Sequence, residues 1–89
     1  MKLLLVEWVD SAGCPAGWQH AEDVTPAMAI VQSVGWLLKE TKEFLFLAPH
    51  INKTGTSDRP QIAGHITIPR GVVKRQSILR VTSSSRSRP

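Results

Sequence analysis

The chain has 89 residues, a formal net charge of +4, one Cys, three His and no Tyr. That length allows one small domain with a modest core. A lone Cys excludes an internal disulfide, and one Cys with three His falls short of the paired short spacings of a structural zinc site. Stability must come from packing, and so small a core is helped by oligomer formation, so a homo-oligomer is expected.

The charge is unevenly spread. Residues 1–69 hold five Lys/Arg against seven acids, whereas residues 70–89 hold six Lys/Arg and no acid. A slightly acidic body therefore carries a basic end. The opening Leu3-Leu4-Leu5-Val6 run meets Glu7 too soon for the apolar core of an export signal, and no stretch approaches the roughly 18 apolar residues of a membrane span. No membrane association and a cytoplasmic setting are expected.

Apolar residues fall in short runs separated by turn formers, which predicts strands. The first strand spans residues 2–9, with Leu4, Val6 and Trp8 on one face and Leu3, Leu5 and Val9 on the other, the pattern of a central or doubly covered strand. A polar connection follows over residues 10–28, long enough to suggest a functional or surface-folded loop. Residues 29–40 form the second strand. Thr25-Pro26 would suit a helix start, but Ile30, Val31, Val34 and Gly35 favour extended chain. Residues 44–48 form the third strand and pair with the second as a hairpin. A second loop runs from Pro49 to Pro60. Residues 61–68 make a fourth strand, which Pro69 ends because it cannot donate to a ladder. Pro69-Arg70-Gly71 makes a turn, with one turn of 3₁₀ helix a possible form, ahead of a fifth strand at residues 75–81. Residues 82–89, rich in Ser and Arg, have nothing apolar to bury and are expected to be disordered.

Five short strands and a one-turn break before the last match the plan of a small all-β barrel of the Sm-like or Src-homology type, as one domain over residues 1–81. Gly35 and Gly64 lie where a bulge or a close backbone approach would let five strands bend round. Such barrels serve many functions, so function must be read from a site.

Glu7-Trp8-Val9-Asp10-Ser11, Gly17-Trp18, Ser33-Val34-Gly35-Trp36-Leu37-Leu38-Lys39-Glu40-Thr41 and Ile66-Thr67-Ile68-Pro69 together resemble a group of small proteins, of about 80–90 residues, encoded by tailed bacteriophages and prophages. The resemblance covers residues 5–80. It implies an accessory phage protein acting on a host process or a defence system, and it brings no catalytic residues.

Of the chemistry-bearing residues, Cys14 and His20 share the first loop without a third group to orient them, and His50 and His65 flank the second loop without a carboxylate pair. Neither set makes a catalytic motif, so no enzyme, metal or cofactor is expected. Two binding sites are. The first-loop residues Asp10, Ser11 and Trp18 combine turn formers with an aromatic anchor for a partner. The cations Arg70, Lys74, Arg75 and Arg80, with Arg86 and Arg88 in the tail, could neutralise phosphates, although no aromatic residue is interleaved with them. The leading expectation is a non-enzymatic protein that binds and sequesters or blocks a host protein or a small anionic ligand. A nucleic-acid-binding module and a minor virion protein are the alternatives.

Overall fold

The computed structural model describes residues 1–13, 16–54 and 59–82 of the chain. Among these residues the structure is antiparallel β, with seven strands: β1 (Leu3–Ser11), β2 (Met28–Glu40), β3 (Phe44–Ala48), β4 (His50–Asn52), β5 (Gln61–Ala63), β6 (Ile66–Pro69) and β7 (Val73–Leu79). Five form one sheet in the order β6-β3-β2-β1-β7, and β4 and β5 form a separate two-stranded ribbon. Single 3₁₀ turns lie at Ala21–Asp23 and Arg70–Val72. The tail 83–89, where the disordered segment and Arg86 and Arg88 were expected, lies outside the described residues.

Residues 25–38 are extended from Met28 onward, as their β-branched content predicts. The β2–β3 hairpin also forms. Thr41 builds its turn: the hydroxyl oxygen accepts from the backbone N–H groups of Glu43 and Phe44 at 3.0 and 3.2 Å, and the Thr41 N–H donates to the Phe44 carbonyl. An irregularity between Leu37 and Lys39 shifts the β2–β3 register, so the bulge falls at Leu38. Gly35 has a different role. A Cβ there would lie 3.1 Å from both the Ala48 carbonyl oxygen and the Leu47 Cβ, so the glycine admits a close approach of β3.

The expected fourth strand divides in two. Gly64 adopts φ +72°, which turns the chain between β5 and β6. Before it, β5 pairs with β4, a three-residue strand that the sequence pattern did not single out. After it, β6 pairs with β3, Ile68 opposite Leu45 and Ile66 opposite Leu47. The last strand begins at Val73, two residues earlier than expected, and ends at Leu79.

β1 is central, between β2 and β7. Its even face supplies Leu4 and Val6 to a core completed by Leu45, Leu47 and Ile68, with Trp8, Leu37, Ile66, Val72 and Val73 packed around it. Its odd face, Leu3, Leu5, Glu7 and Val9, is half-buried, so of the two arrangements expected for this strand the central position is the one found. On the even face, the Trp8 indole Nε1 donates to the Ser33 hydroxyl at 3.0 Å, tying β1 to β2.

The two edge strands of the five-stranded sheet, β6 and β7, are joined only by residues 70–72. Across a flat sheet four inter-strand spacings would separate them by roughly 19 Å. Four virtual bonds from Pro69 to Val73 reach at most about 15 Å when fully extended, and a 3₁₀ turn shortens that further. The sheet must therefore curl so that its edges converge at this end. No ladder joins β6 to β7, so the sheet is curled but not closed.

Candidate functional site

Of the first-loop residues, Asp10 and Ser11 close β1, and Asp10 Oδ1 accepts from the Ser11 N–H at 2.8 Å. Trp18 sits apart from both, fully exposed at 103% of its reference area. It is no lid on the sheet: its indole is presented wholly to solvent. The Cys14 half of the Cys14–His20 pair lies outside the described residues.

The basic residues do not converge. Arg70 projects from the turn between β6 and β7 to the β2–β3 hairpin, where Nη2 donates to Glu40 Oε2 at 2.8 Å and Nε donates to the Thr41 carbonyl at 3.0 Å. Arg75 lies on the odd face of β1 and β7, 3.6 Å from Glu7. Glu7 also accepts from the Gln32 side-chain amide at 3.2 Å, so a polar rung crosses this face from β2 to β7. Lys74 falls at the register shift opposite Glu7 and Trp8, and Arg80 follows the end of β7. Neither makes an ion pair among the described residues.

The histidines make different contacts. His50 pairs in register with Ala63, while His65 meets Phe46 edge-on, with ring centroids 5.4 Å apart. Among the described residues no three His, Cys, Asp or Glu side chains come together as a metal-ligand set, and no helix is long and apolar enough to cross a membrane.

A more promising cleft lies elsewhere. Beyond Ala48 the chain meets Pro49, which has no N–H to give β2, and β4 turns away to pair with β5. The gap left beside the end of the β2–β3 ladder is a cleft of about 460 Å³, walled by Met1, Trp36, Pro49, His50, Ile51 and Lys53. That volume is in the range of small-ligand sites. The wall combines an aromatic ring, apolar surface, an imidazole and an ammonium group, and it contains no acid. Sequence reasoning placed Trp36 on a strand and His50 at a strand end, and did not consider Lys53. Their one signal was a Trp and two basic residues flanking the Ala48-Pro49 break, and only the divergence of β4 gives that spacing meaning.

No protein family, curated protein or solved structure matches the chain.

Proposed function

We propose that the chain is a non-enzymatic accessory protein of the phage type that binds and sequesters a small anionic ligand carrying a flat ring, of the nucleotide class, in the cleft beside β2 and β4. The observation that carries this reading is the composition of the cleft: Trp36 with Lys53 and His50, and no carboxylate in the wall. A ring gains contact area against an indole. An ammonium is a compact donor for phosphate, and the imidazole can add a second donor. The strand order, with β6 and β7 joined by one 3₁₀ turn, supports a small barrel of the Sm-like or Src-homology type as the scaffold. A cytoplasmic setting in a host cell accords with that role.

Titration calorimetry with adenosine monophosphate, adenosine and inorganic phosphate tests the reading. The monophosphate should bind best, and Lys53→Glu should weaken it at least tenfold without lowering the melting temperature. No heat with any of the three at millimolar concentration, or equal binding by Lys53→Glu, would overturn it.

One observation favours a second reading. The complete exposure of Trp18 suits an anchor for a macromolecular partner. A nucleic-acid reading draws less support, because Arg70 is engaged by Glu40 and Arg75 lies beside the Glu7 carboxylate.

A further inference from the structure

Over residues 28–34, one edge of β2 carries no strand among the described residues. The Leu37 N–H donates to the Lys2 carbonyl at 2.7 Å, toward β1. In an antiparallel ladder a residue's N–H and C=O point the same way and alternate from one residue to the next. Residues 29, 31, 33, 35 and 37 therefore face β1, while residues 28, 30, 32, 34 and 36 face away. Trp36 meets Ala48 of β3 on that far side. Because β4 leaves to join β5, residues 28, 30, 32 and 34 have no ladder partner there among the described residues.

We propose that two copies of the chain join through this edge, β2 to β2, antiparallel about a two-fold axis at Val31. In that register Met28 faces Val34 of the other copy and Ile30 faces Gln32. All four outward-pointing residues of each copy then exchange backbone bonds, roughly eight in all. The edge is self-complementary, as an isologous contact requires.

A second copy is favoured over a foreign strand by the composition of the edge. Residues 28–38 carry no charge, so the two-fold sets no like charges against each other. They also contain no Pro and no Lys, the devices that normally guard an exposed edge against pairing. Met28, Ile30 and Val34 are 71%, 53% and 50% exposed, and the proposed register places Met28 beside Val34 as an apolar cross-strand pair. The buried core holds only Leu4, Leu45, Leu47, Ile68 and Val6 as fully buried larger side chains, so added burial between copies has a large relative effect.

The interface is independent of the cleft, and the two proposals fail separately. The full chain is studied by sedimentation over a range of concentrations, beside Gln32→Pro and Val31→Cys in a Cys14→Ser background. Wild type should sediment as a reversible dimer. Gln32→Pro removes an N–H that faces away from β1, so it should shift the protein to monomer with its strand circular dichroism retained. Val31 stands opposite its own copy in a non-hydrogen-bonded pair, so Val31→Cys should form a cross-linked dimer on mild oxidation, while Ile78→Cys in the same background should not. Should Gln32→Pro fail to fold, the cross-link decides. A wild-type monomer at all concentrations, an oligomer larger than a dimer, or the absence of the Val31→Cys cross-link would each overturn the proposal.

Discussion

Arg70 ties the turn between the two edge strands to Glu40, at the end of the middle strand β2. The guanidinium leaves the turn joining β6 to β7 and meets the last residue of β2 at 2.8 Å, while the Arg70 N–H donates to the Glu43 carbonyl and Nε to that of Thr41. Both side chains are about two-fifths exposed, so the ion pair alone is a modest contributor, and the carbonyl bonds give the arginine its positional value. A double-mutant cycle with Arg70→Ala and Glu40→Gln, read by urea unfolding, should yield a coupling of about 0.5–1 kcal/mol that shrinks in high salt. Arg70→Lys should not restore the wild-type midpoint, because an ammonium lacks the planar fork.

Gly35 should tolerate no side chain. Gly35→Ala sets a methyl group 3.1 Å from the Ala48 carbonyl oxygen and the Leu47 Cβ, an overpacking that costs about 1–3 kcal/mol. Gly71→Ala, where a new Cβ meets nothing within 4 Å, is the matched control and should shift the unfolding midpoint little or slightly upward.

The core should respond steeply to truncation. Leu47 is fully buried between β2 and β6, and Leu47→Ala should cost about 2–5 kcal/mol. Ile78→Ser, at a site 59% exposed, should remain within about 0.5 kcal/mol of wild type by the same measurement.

Two tryptophans should behave oppositely. Trp8→Phe keeps the apolar ring but deprives the Ser33 hydroxyl of its donor, and should cost about 1 kcal/mol in urea unfolding. Trp18→Ala should leave stability unchanged, since the indole touches solvent alone. Capture experiments from a host lysate then read its role without a folding artefact: loss of a specific captured protein in Trp18→Ala would support the partner-binding reading of the loop.

The parts of the fold that the sequence announced are those governed by local pattern. Residues 44–48 emerge as β3 because an alternating apolar run is bracketed by a charged turn and Pro49. The hairpin with β2 follows from the shortness of that turn. What escaped notice depends on contacts distant in the chain. Gly64 fits the alternation of a strand, and only its left-handed conformation, against Pro49, divides β5 from β6. β4 is three residues long and exists through its pairing with β5. The basic residues were visible as charges, but Glu40 is thirty positions from Arg70, and Glu7 and Arg75 sit on the first and last strands. The cleft was least visible, since Trp36 and Lys53 share it only because the chain departs from the sheet after Ala48.

The pairing of the first strand with the last has a kinetic consequence. Until Val73–Leu79 has been synthesised, β1 can complete only its ladder with β2, and its Leu- and Val-rich opposite edge stays open. Closing it requires the ladder of greatest sequence separation among the described residues, which is the kind of step that slows folding. During that interval the nascent chain carries an apolar strand with one edge unpaired, the form most prone to aggregate. Yield in the cell should therefore depend on what shields that edge before the carboxyl-terminal strand arrives.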